Sequence, residues 1–279
     1  MKIFELKEDL ISFLKSQASE KIISFVPTMG ALHEGHMSLI ESAKQESDLV
    51  VCSIFVNPTQ FNNTCDLQNY PRSTKKDIEL LSHRKCDVLY LPEVKDLYYK
   101  NEKSKLFYFN GLDEFMEGAS REGHFNGVAT IIEKLFRIVN PHLAFFGEKD
   151  LQQLQIIKYI TKQLDFSIQI IGVPTKREKS GIALSSRNKR LSETDIEKAV
   201  LIYQTLQFIL KNKSKYTIRE IKQICNEKFN SQTILNLEYL EIVGLDNLKP
   251  ITNFNEKGKN AACIAATISG VRLIDNIIF

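Results

Sequence analysis

Over its first two-thirds the chain alternates short β-rich runs with segments of helical periodicity. IISFV (22–26), LVVCSIFV (49–56), VLYLP (88–92), LAFFG (143–147) and IQIIGVP (168–174) are rich in β-branched and aromatic residues, and each predicts a strand. Between them, MSLIESAKQES, TKKDIELLSHR, ATIIEKLFRIVN and LQQLQIIKYITKQL carry apolar residues at helical spacing. This rhythm predicts βα units and a parallel sheet, an α/β, Rossmann-like fold. Runs such as SIFV and LAFF are apolar without interruption, so helices are expected on both faces of the sheet.

The pattern changes after about residue 175. SETDIEKAVLIYQTLQFILKN opens with a capping-box-like SETD and sets Ala199, Val200, Ile202, Leu206 and Ile209 along one helical face. TIREIKQICNEKFN reads as a second helix, and LEYLEIVG, ACIAATIS and VRLIDNIIF read as strands. These predict a smaller C-terminal α+β domain over 176–279, following a domain over 1–175. There is no low-complexity linker and no internal repeat. The N-terminal MKIFELKEDLISFLKSQASEK mixes charge with apolar residues at 3.6 spacing, and is expected to be neither signal peptide nor anchor. No run approaches the ~20 apolar residues of a spanning helix.

Composition narrows the candidate partners. With 279 residues, 43% of them hydrophobic, the chain can bury a substantial core. Its 37 Lys+Arg against 34 Asp+Glu leave a net charge of +3, too little to attract nucleic acid or an anionic membrane. Any bound anion must therefore be held by a local site. The five cysteines are scattered and form no CxxC pair, which suits reduced thiols in a cytoplasmic protein.

The stretch PTMGALHEGH (27–36) is such a candidate site. It follows an apolar strand and opens a helix, where unpaired backbone N–H groups favour phosphate. Gly30 lets a phosphate approach the backbone, and Gly35 permits close packing of a nucleotide. His33 and His36, three residues apart, can both donate to phosphate oxygens. An arbitrary HxxH pair more often caps a helix at the surface, and a metal site would need a third ligand that no recognisable spacing supplies. HxGH at a strand-to-helix turn favours a nucleotide.

VNPTQF places Asn57 and Gln60 at the end of the second strand, where amides suit a hydroxyl-bearing substrate, although N-P is also a turn dipeptide. In GEKDLQQ, Gly147 ends a strand and Asp150 can cap the next helix. Lys149 then projects a cation near the phosphates and Gln153 reaches inward; EKD also suits a solvated charge cluster. ALSSRN offers Ser185 and Ser186 as small donors and Arg187 as a fork for phosphate oxygens, or is simply a helix-start loop. No Ser-His-Asp or Cys-His arrangement calls for a protein nucleophile.

The HxGH turn resembles that of the nucleotidyltransferase and class I aminoacyl-tRNA synthetase superfamily. Within it, FVPTMGALHEGHMSLI resembles the pantothenate synthetase (pantoate-β-alanine ligase) family. SIFVNPTQF, NYPRS, GHFNGV, FFGEKDLQQL, ALSSRN and RLIDN match that family in order, from about residue 22 to the end.

The resemblance implies ATP-dependent condensation of (R)-pantoate with β-alanine through pantoyl adenylate, releasing AMP and pyrophosphate. It places ATP on Met29, Gly30, Ala31, Leu32, His33, Glu34, Gly35 and His36. The same nucleotide is expected on Gly147, Glu148, Lys149 and Asp150, on Lys176 through its backbone, and on Leu184, Ser185, Ser186 and Arg187. Gln60 and Gln153 are assigned to pantoate, and Gln60 also to β-alanine. His36 is expected as proton donor, with His33, Lys149 and Arg187 acting on the phosphates.

Mg2+ is expected with ATP. Asp77 aligns with an acidic position associated with magnesium, but Lys75 and Lys76 stand where some relatives carry acids. Glu122 stands where proline is common. A C-terminal lid closing over the phosphates and a homodimer are also implied. Another nucleotidyltransferase of the superfamily would share HxGH but lack VNPTQF and GEKDLQQ, and a non-catalytic nucleotide sensor would be expected to have lost His36, Lys149 or Gln153.

Overall fold

The computed structural model describes residues 1–17, 21–254 and 258–279. In chain order its elements are β1 (Lys2–Phe4), α1 (Lys7–Lys15), β2 (Ile23–Thr28), α2 (Glu34–Glu46), β3 (Leu49–Ile54), α3 (Thr64–Gln68), α4 (Thr74–His83) and β4 (Val88–Tyr90). They continue with α5 (Val94–Leu97), α6 (Met116–Ser120), α7 (His124–Val139), β5 (Leu143–Gly147), α8 (Leu151–Gln163) and β6 (Gln169–Val173). The last are α9 (Glu193–Asn212), α10 (Ile218–Asn230), β7 (Leu235–Gly244), β8 (Asn260–Ile268) and β9 (Val271–Ile278).

The chain divides into two compact units. The first comprises Met1–Asn110, Arg121–Glu148 and Gln153–Pro174. The second comprises Thr175–Phe279 together with Gly111–Ser120 and Lys149–Gln152, two pieces that the sequence boundary leaves in the first domain.

The first unit is built on a parallel sheet of order β1-β4-β3-β2-β5-β6. The five expected strands are all present, within a residue or two of their predicted ends. The sixth, β1, lies in the stretch that the sequence reads at helical spacing. It is an edge strand whose pairing is set by long-range bonds: Lys2 N–H donates to Asp87 O, and Leu91 N–H to Phe4 O, both at 2.8 Å. Helical periodicity proper begins at α1, where Leu10 and Leu14 are buried.

The uninterrupted apolar strands have the expected cause. Along β2, Val26 packs with Met37, Ile40 and Ala43 of α2 on one face. Its neighbour Phe25 meets Phe136 of α7 on the other, with ring centroids 6.4 Å apart. From β2 the chain crosses through α2 to β3 on one side, and from β5 through α8 to β6 on the other. The adjacent strands β2 and β5 therefore flank the point where strand order reverses, and crevices at such points receive ligands in open α/β sheets.

The second unit is an antiparallel sheet, β7-β8-β9, with α9 and α10 packed on it. Both helices open with capping boxes, Ser192 with Asp195 and Thr217 with Glu220. Glu117, in the 111–120 piece, accepts from Tyr239 Oη at 2.8 Å and from both terminal nitrogens of Arg272 at 2.7 Å. Among the described residues, no helix is long and apolar enough to cross a membrane.

Candidate active site

At the carboxyl end of β2 the backbone passes through two successive left-handed residues, Gly30 at φ +81° and Ala31 at φ +48°. A side chain is costly at such angles, and a Cβ on Gly30 would lie 3.0 Å from Ile54 Cγ2. Asp77 of α4 holds the turn. Its Oδ2 accepts from Ala31 N and its Oδ1 from Leu32 N and Ser73 Oγ, all at 2.9 Å.

This gives Asp77 a different part from the magnesium contact implied by the resemblance. The carboxylate is 2% exposed and both its oxygens are committed to the protein, where a metal ligand would offer an oxygen to the ion. Among the described residues no group of three His, Cys, Asp or Glu side chains is placed to share a metal. Asp77, so engaged, does not fit the part of a magnesium ligand.

The two histidines cap α2 reciprocally. His33 is its N-cap, with Nδ1 accepting from Gly35 N at 3.1 Å, while His36 Nδ1 accepts from His33 N at 3.3 Å. Their ring centroids are 4.0 Å apart. With Nδ1 an acceptor in each ring, the neutral imidazole carries its proton on Nε2. The capping and phosphate-binding readings are thus compatible, because the cap fixes the tautomer that a phosphate donor needs. The Glu34 side chain is exposed and paired with Arg84 at 2.8 Å, so only its backbone belongs to the turn.

After β3, Asn57 is 1% exposed and fully used. Its Nδ2 donates to Gln60 Oε1 and to Gly127 O, both at 3.1 Å; its Oδ1 accepts from Thr59 Oγ1 at 3.0 Å and Tyr98 Oη at 2.7 Å. Two donors and two acceptor sites exhaust an amide. The expectation that Asn57 meets substrate is therefore corrected: it is an internal brace for Gln60. Burial pushes the Tyr98 phenol up to about 12, which keeps it protonated as a donor. Among the described residues, Gln60 Nε2 donates to the weak acceptor Met29 Sδ at 3.0 Å.

The GHFNGV motif, for which the sequence offers no role, supports the same segment. His124 Nδ1 donates to Gln60 O at 2.8 Å, leaving Nε2 to accept from Arg121 Nη1 at 3.2 Å. A Cβ on Gly127 would fall 2.3 Å from Thr59 O. Only glycine lets α7 approach the 57–60 turn so closely.

Of the adjacent glutamines, Gln152 is the buried one. Its Nε2 donates to Leu112 O and Phe115 O, and its Oε1 accepts from Glu117 N. Gln153 is half-buried, with no side-chain hydrogen bond among the described residues, so its amide is available. Gly147 ends β5 with nothing within 4 Å of an added Cβ, an open approach to backbone; Glu148 follows it.

In the second unit, Lys149 Nζ lies 3.4 Å from Asp150 Oδ1, and Lys149 O accepts from Asn276 Nδ2 at 2.8 Å. Residues 176–184 form a small hairpin in which Leu184 N donates to Lys176 O at 3.0 Å. Ser185 then caps a 3-10 turn, Ser186–Arg190, accepting from Arg187 N at 3.3 Å. Lys149, Ser185, Asn188, Tyr203 and Asp275 are among the residues that line one pocket of the second unit.

A parallel α/β sheet with a histidine-capped turn at its switch point is the architecture of a nucleotide-binding α/β enzyme. Comparisons with known proteins narrow the class. The family model for pantoate-beta-alanine ligase matches residues 2–278. Pantothenate synthetase of Christiangramia forsetii is 45% identical over 280 residues, covering 99% of both chains. That of Cytophaga hutchinsonii is 45% identical over 258 residues, 92% of this chain and 91% of its own.

Two solved structures superpose over nearly the whole length. Pantothenate synthetase from Thermus thermophilus gives a TM-score of 0.92 at 35% identity, covering 99% of each chain. Pantoate-beta-alanine ligase from Francisella tularensis, complexed with β,γ ATP and β-alanine, gives 0.80 at 39%, covering 100% of this chain and 97% of that one. The chain belongs to the pantoate-beta-alanine ligase family.

Proposed function

We propose that the chain condenses pantoate with β-alanine at the expense of ATP, through pantoyl adenylate, as a step of pantothenate biosynthesis. The observation that carries this reading is the histidine-capped turn at the carboxyl end of β2, which holds two Nε2–H donors beside the topological switch point.

A carboxylate and an amine do not condense in neutral water, so the carboxylate must first gain a leaving group. A pantoate carboxylate oxygen attacks the α-phosphorus and the bond to the β-phosphate oxygen breaks, releasing pyrophosphate. The β-alanine amine then attacks the acyl carbon, the carbon–oxygen bond to phosphate breaks, and AMP leaves. Magnesium enters as part of the MgATP substrate. The residues of the chain position groups and stabilise developing charge. His33 and His36 donate from Nε2 to phosphate oxygens, with His36 protonating the departing oxygen, and Lys149 and Arg187 are further phosphate cations. Gln60 and the available amide of Gln153 hold pantoate, and Gln60 also meets β-alanine. The backbone of Lys176 and Leu184 to Ser186 receives the nucleotide.

The test is an end-point assay of the purified protein with MgATP, pantoate and β-alanine, omitting each acid in turn. Pantothenate, AMP and pyrophosphate in equal amounts, and only with both acids, is the expected result. ATP binding without pantothenate would overturn the reading in favour of a sensor.

Residues 176–279 are proposed to act as a lid that excludes water from the adenylate. MgATP and pantoate should then slow hydrogen exchange over 183–190; unchanged exchange would remove the lid. A cytoplasmic location accords with five free cysteines. The homodimer implied by the resemblance has one candidate face in the first unit. Lys105 and Phe107 turn their N–H groups to Thr130 and Asn126, while the intervening Leu106 and Tyr108 stand 90% and 68% exposed. Light scattering of the protein and of Leu106→Asp tests it: a dimer that the substitution splits is expected, and a monomeric parent would refute it.

A further inference from the structure

Arg177 and Asn276 lie outside every role assigned above, yet they tie the residues proposed as phosphate ligands in the second unit to one strand. Arg177 makes a two-pronged contact with Asp275 of β9, at 2.5 Å and 2.9 Å to the two carboxylate oxygens. The same guanidinium donates to Gly181 O at 3.1 Å and Asn276 O at 3.2 Å, and lies 4.5 Å over the Tyr203 ring. Such a planar fork fixes direction as well as distance, which a lysine cannot do.

The hairpin is correspondingly tight. Gly181, at φ +96°, sits so close to Tyr203 that a Cβ would fall 2.1 Å from its Cδ1. The stem it closes leads directly into Ser185–Arg187. One residue beyond Asp275, Asn276 Nδ2 holds the carbonyl of Lys149, at 2.8 Å. Lys149 and the Ser185–Arg187 segment, far apart in sequence, are thus both referred to the same two residues of β9, and Lys149, Ser185 and Asp275 line one cavity.

We propose that Arg177 and Asn276 are positioning residues for adenylation, Asn276 fixing the backbone of Lys149 and Arg177 fixing the hairpin that presents Arg187. This rests on the reading of Lys149 and Arg187 as phosphate cations. Because those cations act on the triphosphate, the effect falls on the first half-reaction and spares the second.

The experiment measures pantoate-dependent ATP–pyrophosphate exchange, and separately the single-turnover transfer of enzyme-bound pantoyl adenylate to β-alanine, for Asn276→Leu, Arg177→Lys, Lys149→Met and the Asn276→Leu/Lys149→Met double variant. Misplacement by about 1 Å costs on the order of 100-fold. A loss of roughly 10- to 100-fold in exchange is therefore expected for Asn276→Leu and Arg177→Lys, with transfer to β-alanine unchanged. In the double variant the Asn276 substitution should add nothing to the loss from Lys149→Met. Equal losses in both half-reactions, or fully multiplicative losses in the double variant, would overturn the proposal. Slow exchange in Lys149→Met beside normal exchange in the other two would overturn the proposal alone. Normal exchange in Lys149→Met would remove the underlying reading, and the proposal with it.

Discussion

Replacing Asp77 with asparagine separates a clamp on the turn at Ala31 and Leu32 from a magnesium ligand. The carboxylate is 2% exposed, so solvent screens it little, and it accepts three hydrogen bonds of 2.9 Å. Asparagine can keep Oδ1 towards Leu32 N and Ser73 Oγ, but sets an NH2 group against Ala31 N. One charge-assisted bond is lost, worth about 1.5–3 kcal/mol, and the two that remain become neutral. Ala31, which already bears a left-handed conformation costing roughly 1–2 kcal/mol, also loses its anchor.

The expected destabilisation is about 2–4 kcal/mol, read from urea unfolding with an unchanged slope. Adenylation, followed by pantoate-dependent exchange across a magnesium titration, should fall in maximal rate while the half-saturating magnesium concentration stays put. Wild-type stability with a raised magnesium requirement would refute the clamp and restore the metal ligand.

Other substitutions read other parts of the account. His36→Ala should lose roughly 100-fold or more in adenylation rate and about 1 kcal/mol of stability, because it removes both a phosphate donor and half of the cap; His36→Gln, whose amide can fill the same capping position, should regain the stability but only part of the rate. A near-normal rate in His36→Ala would take it out of the mechanism. Gly127→Ala forces a methyl group to within 2.3 Å of Thr59 O, so the 57–60 turn must shift; a raised KM for pantoate is expected, and an unchanged one would show that Gln60 is not the contact. Burial pushes the thiols of Cys86 and Cys263 up to about 12, that of Cys225 up to about 11, and that of Cys52 upward as well, while Cys65 is exposed. At pH 8 one thiol should therefore react quickly with a disulfide reagent and all five only after denaturation; rapid reaction of several in the native protein would contradict the buried positions.

What the sequence made legible is what is local. Alternating strand and helix signals placed five of the six parallel strands and the helices between them, because each is encoded by its own few residues. Strand β1 escaped because it runs straight into the helical spacing of α1, and its pairing partner lies far along the chain at Val88–Tyr90. The HxGH turn was legible for the same local reason. The contacts that hold the motifs in shape were not: Asp77 reaches back to Ala31 and Leu32 of that turn, His124 to Gln60 of the 57–60 segment, and, within the second unit, Arg177 to Asp275, each across a gap that only the folded chain closes. Adjacent glutamines pose the reverse difficulty. Gln152 and Gln153 share one helix turn, and only the backbone of the 111–120 piece decides which amide is taken.

The adenylate is the step on which the whole account depends, and labelled oxygen follows it directly. With pantoate carrying 18O in its carboxylate, attack on the α-phosphorus and later acyl transfer leave one labelled oxygen in AMP and one in the pantothenate amide. The account predicts that distribution, with none in pyrophosphate. Label absent from AMP, or found in pyrophosphate, would contradict adenylation of pantoate by this chain.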